Sequence, residues 1–251
     1  MTSNREIPLE GISERGSARV SARAPWRRER ATRPERGISG CLPASSRGYQ
    51  KIANAAKVFN FDFRGKTVLD IGSSTGGFTK YALDHGAKQV IAIEKGTNQM
   101  MSSLRHDPRV ELHEKTDIFS VGTQDIVTED HRLCRTALSV SSRTISYVPD
   151  IIMADVSFIS LAKVLAYAKA NLSDHHTDFL VMLKPQFEAK PSELNSGIVK
   201  NDKIRREIIK NFEHWLKQNN FIIINKHDNQ LKGKTGNQER FYWLKAGRDP
   251  E

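Results

Sequence analysis

Apolar and polar positions alternate in two different rhythms from residue 46 onward. Segments 49–59 and 202–219 repeat apolar residues at helical spacing and predict amphipathic helices, the second with Asp202 as its N-cap. The apolar face of the first helix consists of Ile52, Ala55, Ala56 and Phe59. Short apolar runs predict strands at 67–71, 90–93, 110–113, 151–154, 179–183, 221–224 and 241–244. Such strands, alternating with helices, are typical of a mostly parallel sheet covered on both faces, so we predict an α/β fold with a seven-stranded sheet.

Two segments depart from this alternation. Residues 1–45 contain no lysine, and all their basic residues are arginines scattered among Gly, Pro and Ser. Such a composition buries too little apolar surface to offset its ordering entropy, so we predict a disordered, Arg-rich tail. A passive tail is the favoured interpretation, and an arm that binds RNA phosphates is the alternative. Residues 120–148, rich in Ser, Thr and Arg, predict a surface insertion in a domain that spans 46–247.

The formal net charge of +10 and the isoelectric point of about 9.6 favour a polyanionic partner, of which nucleic acid is the commonest. The two cysteines, Cys41 and Cys134, have no neighbours at metal-ligand spacing, so neither a zinc site nor a disulfide framework is expected. This cysteine usage is typical of a reducing cytoplasm. No apolar run approaches the roughly 18 residues of a membrane span, so we expect no membrane partner.

A glycine-rich turn follows the first predicted strand, in the run VLDIGSSTGGF at 68–78. The ligand crevice of an open α/β sheet lies beyond the carboxyl ends of its strands, and glycine lets the backbone turn tightly beside a ligand. The candidate ligand-binding residues of this run are Asp70, Gly72, Ser73, Thr75, Gly76, Gly77 and Phe78. The dinucleotide fingerprint would need glycine at Ser74, and Asp70 would repel a pyrophosphate, so a nicotinamide cofactor is disfavoured. A carboxylate at this position suits the ammonium group of a methionine moiety.

Acidic residues also follow the second and third predicted strands. Glu94 can accept hydrogen bonds from both hydroxyls of a ribose, a feature that dinucleotide sites share. Asp117 can accept one from an adenine amino group, although an ordinary loop acid is an equally good interpretation. Together with the glycine turn, these residues favour a nucleoside ligand over a purely structural turn.

Opposite charges end the fourth and fifth predicted strands. Asp155 lies in ADVSFIS at 154–160, and Lys184 lies in LKPQFE at 183–188. Adjacent parallel strands would place both side chains at the mouth of the nucleoside crevice. A structural salt bridge is the alternative, but it does not explain why both charges fall at strand ends beside that crevice.

These motifs, with SRGYQK at 46–51, DPRV at 107–110 and GNQERF at 236–241, resemble those of the TlyA group of FtsJ-like RNA 2′-O-ribose methyltransferases. Members of this group were also named haemolysins. The resemblance spans about residues 46–245 and implies a Rossmann-like, S-adenosylmethionine-dependent methyltransferase fold. It also implies methyl transfer from S-adenosylmethionine to a ribose 2′-hydroxyl, with ribosomal RNA or ribosomal subunits as the partner.

The resemblance implies a catalytic tetrad as well. Its members would be Lys51, Asp155, Lys184 and Glu239. A ribose hydroxyl must lose its proton as it attacks, and a neutral amine can accept that proton. We predict that Lys184 is the base, that Lys51 assists it, and that the two carboxylates position both lysines.

Basic residues near these motifs are candidates for RNA contacts. Arg47, in the SRG element, is assigned through the resemblance. Three lysines flank the expected active-site loops, with a solvated basic face as the alternative for each: Lys190, Lys232 and Lys234. The TlyA group carries a small N-terminal RNA-binding module of the S4 type, which residues 1–45 are too few and too irregular to match.

Two other classes of function are weighed against the enzyme. A non-catalytic RNA-binding or ribosome-assembly protein would have a broken tetrad, and here all four residues are intact. A membrane-active haemolysin would need an amphipathic or spanning apolar segment for the membrane, and apart from the two helices assigned to the α/β domain none is apparent. The sequence predicts no metal site, and it leaves the oligomeric state and the methylated nucleotide open.

Overall fold

The structure is a computed structural model that describes residues 46–123, 143–145, 147–231, 233 and 236–247. The predicted tail at 1–45 and most of the predicted insertion lie outside these residues. The helices are α1 (Arg47–Phe59), α2 (Gly77–Asp84), α3 (Ser102–Arg105), α4 (Leu161–Asn171), α5 (Pro185–Glu188) and α6 (Asp202–Gln218). The strands are β1 (Thr67–Ile71), β2 (Gln89–Ile93), β3 (Val110–His113), β4 (Val121–Thr123), β5 (Arg143–Ile145), β6 (Ile151–Ala154), β7 (Asp178–Leu183), β8 (Leu194–Asn195), β9 (Ile198–Val199), β10 (Phe221–Asp228) and β11 (Arg240–Ala246).

One seven-stranded sheet organises the domain, in the order β10-β11-β7-β6-β1-β2-β3. The five strands from β7 to β3 in this order are parallel, and β11 runs antiparallel to both of its neighbours. From β1 the chain adds β2 and β3 on one side, and from β6 it adds β7, β10 and β11 on the other side. The strand order therefore reverses between β1 and β6. A ligand crevice is expected at such a switch point, beyond the carboxyl ends of β1 and β6.

Apolar side chains cover both faces of the sheet. Val68 and Leu69, consecutive residues of β1, are fully buried and belong to opposite core clusters. One cluster packs under α4 and α6, and the other packs under α1, α2 and α3. Each fully buried side chain of this size contributes about 1.5–3 kcal/mol to folding. The predicted mostly parallel sheet with helices on both faces is confirmed.

Two local features differ from the sequence-based expectation. The N-cap of α6 is Asn201, whose side chain accepts a hydrogen bond from the backbone N–H of Ile204, and Asp202 is the first helical residue. Asparagine and aspartate cap equally well, so the prediction of Asp202 was wrong by one residue. The ends of the region 120–148 form the parallel pair β4–β5, with Val121 and Ile145 fully buried in the core.

The longest helix in the described ranges is α6, with 17 residues, and one face of it is charged. Within those ranges, no helix combines the length and the apolar character that crossing a bilayer requires.

Candidate active site

The glycine turn joins β1 to α2. Gly72 and Gly76 have φ angles of 82° and 87°, in the left-handed region that favours glycine. A Cβ on Gly72 would lie 3.1 Å from the carbonyl oxygen of Asp155, so the loops after β1 and β6 touch at the switch point. A Cβ on Gly76 would overlap the side chain of Leu104.

The structure gives two candidate ligand residues of this turn a packing role. A Cβ on Gly77 would lie 2.8 Å from the Ser46 hydroxyl, because the N-termini of α1 and α2 meet there. Phe78 is buried and stacks on Phe241 at a centroid distance of 6.0 Å. The close approach that glycine permits at position 77 is therefore an approach of protein backbone. Thr75 is exposed on the turn.

Asp70 lies fully buried beneath the turn. Its Oδ2 accepts a hydrogen bond of 2.6 Å from the Thr79 hydroxyl. Burial raises the pKa of Asp70 to about 7 against the opposing effect of Thr79, and the negative charges of Asp155 and Glu94 add to the rise. Three carboxylates thus repel one another around the turn, and a cationic ligand would relieve that repulsion.

Two buried oxygen atoms, one in β1 and one in the turn, show whether the site is suited to a ligand. Among the described residues, neither Asp70 Oδ1 nor Ser73 Oγ has a hydrogen-bond partner. Buried polar atoms of this kind are costly unless a partner satisfies them. The orphaned oxygens and the acidic surroundings fit a nucleoside that carries an ammonium and a sulfonium group.

The raised pKa of Asp70 makes stability depend on pH. The folded protein holds the Asp70 proton from about pH 4, where the unfolded chain releases it, up to about pH 7, so stability falls as pH rises through this window. Asp70→Asn has no charge to bury. Its free energy of unfolding relative to the wild type should therefore increase between about pH 4 and about pH 7 and then level off, as urea denaturation would measure. A difference that does not change with pH would contradict a buried, titrating carboxyl.

Glu94 and Asp117 lie at the carboxyl ends of β2 and β3. The Glu94 carboxylate accepts hydrogen bonds from the backbone N–H groups of Ser74 (2.9 Å) and Gly96 (2.6 Å), so it ties the glycine turn to the next loop. Asp117 accepts a 2.7 Å bond from Lys95, which lowers the pKa of Asp117. Both side chains are partly exposed and remain accessible to a ligand.

A buried ion pair joins the first helix to the last strand. Lys51 Nζ, on α1, lies 2.6 Å from Oε2 of Glu239, directly before β11. The side chains are 10% and 3% exposed, so both charges have left bulk water. A buried ion pair of this kind is stable only when the attraction between its two charges offsets the cost of removing them from water.

A second ion pair joins the ends of β6 and β7. Lys184 Nζ lies 2.6 Å from Asp155 Oδ1 and donates a 2.8 Å hydrogen bond to the Ser157 hydroxyl. Behind this pair, Glu188 accepts hydrogen bonds from the Ser160 hydroxyl and from the N–H of Leu161 at the start of α4. Glu188 thus fastens the two loops that carry the pair, and its burial raises its pKa.

Strand register brings the two ion pairs to one edge of the sheet. Arg240 pairs with Leu183, so the residues just beyond them, Glu239 and Lys184, lie on neighbouring strands at the same level. β7 pairs in turn with β6, which ends next to Asp155. Glu239, Lys184 and Asp155 therefore stand at the ends of the three neighbouring strands β11, β7 and β6, and Lys51 reaches Glu239 from helix α1.

The structure describes two of the four residues that are predicted to contact RNA. Arg47, the first residue of α1, and Lys190, after α5, are exposed. Lys232 and Lys234 lie outside the described residues. Sequence reasoning missed Phe158, which is 76% exposed, has a φ angle of 65°, and packs against Phe187 at 5.1 Å.

Fold and site together define a Rossmann-like α/β domain with a crevice lined by carboxylates at the switch point of its sheet. The family model described as "FtsJ-like methyltransferase" matches residues 44–246 of this chain. The chain belongs to the FtsJ-like methyltransferase family, and it is an enzyme of that class.

Relatives and solved structures agree with this assignment. The 16S/23S rRNA (cytidine-2′-O)-methyltransferase TlyA of Mycobacterium tuberculosis is 32% identical over 205 residues, 81% of this chain and 69% of that protein. Hemolysin A of Brachyspira hyodysenteriae is 33% identical over 195 residues, 77% of this chain and 73% of that protein. A solved structure from Streptococcus thermophilus, described as that of a hemolysin, is 30% identical with a TM-score of 0.71, covering 85% of this chain and 70% of that one. The predicted resemblance to the TlyA group is confirmed.

Proposed function

We propose that this enzyme methylates a ribose 2′-hydroxyl of ribosomal RNA and takes the methyl group from S-adenosylmethionine. The observation that carries the proposal is the pair of lysine–carboxylate contacts whose residues Glu239, Lys184 and Asp155 stand at the ends of three neighbouring strands, with Lys51 reaching Glu239 from α1. The TlyA relative, which acts on cytidine 2′-hydroxyls of rRNA by its name, supports the choice of substrate. Ribosomal RNA as substrate also supports a cytoplasmic location.

The residues around the glycine turn would hold the methyl donor. Glu94 would accept hydrogen bonds from its ribose hydroxyls, and Asp117 would accept one from its adenine amino group. Asp70 and Ser73 offer the unpartnered oxygens for its polar end. Bound S-adenosylmethionine supplies an electrophilic methyl group on a positively charged sulfur.

The lysines act on the nucleophile. A ribose hydroxyl is a poor nucleophile at neutral pH, so much of the rate gain comes from holding it in line with the methyl group. In the proposed step Lys184, after it has given up the extra proton that it carries in the ion pair with Asp155, accepts the hydroxyl proton while the C–O bond forms and the bond between the methyl group and sulfur breaks. Asp155 and Ser157 hold the Lys184 amine in place, and the Lys51–Glu239 pair forms the adjoining wall.

RNA would approach along the rim of this site. Arg47 and Lys190 are exposed there and carry charge that can neutralise phosphates. Phe158 presents an aromatic face beside the Lys184–Asp155 pair, supported from behind by Phe187. A bulky side chain with positive φ is rare, and such backbone strain clusters at functional sites. An exposed ring in this place suits stacking with a base of the RNA.

Phe158→Ala is expected to raise the KM for RNA about tenfold or more, since stacking on one aromatic ring contributes about 1–3 kcal/mol. Affinity for the methyl donor should stay unchanged. Phe158→Trp retains a stacking face at the same backbone position and should restore the KM, whereas Phe158→Leu should not. Steady-state kinetics on an RNA substrate measures these values, and a Leu variant as good as wild type would contradict a stacking role.

The proposal as a whole is tested by incubating the protein with methyl-labelled S-adenosylmethionine and isolated ribosomal RNA, subunits and ribosomes. We expect label in one RNA fraction, mapped as 2′-O-methylribose, and none with Lys184→Ala. Label on a base would overturn the ribose assignment. No label in any fraction would favour a non-catalytic RNA-binding protein with this fold.

A further inference from the structure

Described residues of the loop between β10 and β11 lie against the Glu239 carboxylate. A Cβ on Gly233 would lie 3.0 Å from Glu239 Oε1, so the loop backbone packs directly on that oxygen. The N–H of Gly233 donates a 2.8 Å hydrogen bond to the carbonyl of Asn237, which closes the loop. Lys51 contacts the other carboxylate oxygen, Oε2. The carboxylate is thus enclosed, with Glu239 2% exposed.

Among the residues of this loop that the structure describes, Asn229 directs a polar side chain toward Glu239. It is 1% exposed, and its Nδ2 lies 3.5 Å from Glu239 Oε2, the oxygen that also contacts Lys51. Its Oδ1 accepts a hydrogen bond from the N–H of Leu231, which fixes the amide with its donor end toward the carboxylate. Its backbone N–H donates a 2.9 Å bond to the Glu239 carbonyl.

The chain neighbours of Asn229 and Glu239 form ion pairs and hydrogen bonds that fix the positions of these two residues. Asp228 bonds Arg205 from α6 and Arg240 from β11, each at 2.6 Å. Despite its burial, these hydrogen bonds keep the pKa of Asp228 below its ordinary value. Arg205 also donates to the carbonyl of Gln238. The residues on both sides of Glu239 are therefore anchored, and so are Asp228 and its neighbour Asn229.

We propose that Asn229 is a positioning residue for methyl transfer: its buried amide orients the Glu239 carboxylate and, through it, the Lys51 ammonium group. This role rests on the proposed function, because it is measured through the rate of methyl transfer. A neutral donor is suited to this place. It satisfies a carboxylate oxygen without adding a second positive charge beside Lys51 or a second negative charge beside Glu239.

Asn229→Asp tests the role with a side chain of nearly the same shape. Two carboxyl groups this close cannot both ionise without strong repulsion, so one retains its proton to higher pH. A protonated carboxyl can still donate to Glu239, whereas the ionised form cannot. We expect N229D to keep much of the wild-type kcat near pH 6 and to lose at least tenfold near pH 8, with the KM for S-adenosylmethionine unchanged.

Asn237→Asp is the matched control from the same loop. Asn237 is also buried, but its amide bridges to the β8–β9 hairpin through Val199 and Gly197. N237D is expected to lower stability while leaving the shape of the pH profile of kcat as in the wild type. Urea denaturation of all three proteins separates stability from positioning.

The outcomes separate the two proposals. A wild-type protein that transfers no methyl group to RNA removes the proposed function. A wild type that is active, with N229D giving the same pH profile or one that only scales down uniformly, removes the positioning role of Asn229 and leaves the function standing. Asn229→Ala provides a second check, since it should lower kcat at every pH without the recovery near pH 6.

Discussion

Lys184→Ala is expected to lower kcat by about 10²–10⁴-fold, the range that general bases contribute, while the dissociation constant of S-adenosylmethionine stays within about twofold. The reason is that Lys184 touches the reacting hydroxyl in the proposed mechanism and lies beyond the residues that would hold the methyl donor. Single-turnover assays on RNA measure the first quantity, and calorimetry measures the second.

The Lys184→Arg variant distinguishes a role of Lys184 in proton transfer from a role of its positive charge. Arginine can keep the ion pair with Asp155, but it cannot give up its proton. We expect this variant to be as inactive as the alanine variant, and Lys210→Ala, at an exposed position on α6, to behave as wild type. An arginine variant with substantial activity would show that Lys184 acts as a positive charge and that another group accepts the proton.

The second large effect is expected when the buried pair of Lys51 and Glu239 is broken. Lys51→Met leaves an unpaired buried carboxylate and should cost about 3–5 kcal/mol of unfolding free energy, together with most of the activity. The double variant Lys51→Met, Glu239→Gln removes both charges. It should regain most of the lost stability without regaining activity.

This difference between stability and activity is informative because a purely structural pair would behave otherwise. If the double variant recovers methyl transfer along with stability, the pair only holds the fold. If the double variant remains as unstable as Lys51→Met, the two charges do not compensate each other in solution. Urea denaturation and the RNA assay on the same preparations decide between these cases.

The elements that position the site could be predicted from the sequence because their signals are local. β6 and the segment 179–183 of β7 are continuous apolar runs, and charges directly after such runs can be recognised without knowing the fold. Placing Asp155 and Lys184 side by side then required only the rule for parallel strands. The role of Glu239 could not be read this way, and its assignment came from the resemblance to a family.

Other parts depend on contacts between distant segments. Gly77 and Phe78 are predicted ligand residues, and no local pattern reveals that they also pack against α1 and β11. Phe158, next to the apolar Ile159, is indistinguishable from a core residue until its exposure is known. The three-residue strands β4 and β5 are too short to show periodicity, and Asn229 stands in a polar turn-like segment.

The contact between Lys51 and Glu239 links the earliest helix of the domain to its final strand. A ribosome synthesising this chain makes one half of the pair near the start and the other only after almost every other strand has emerged. A chain that ends before Glu239 has the lysine without this carboxylate, and its sheet lacks β11, the strand between β7 and β10. The pair, and with it the proposed tetrad, is therefore complete only when the last strand of the domain has been made.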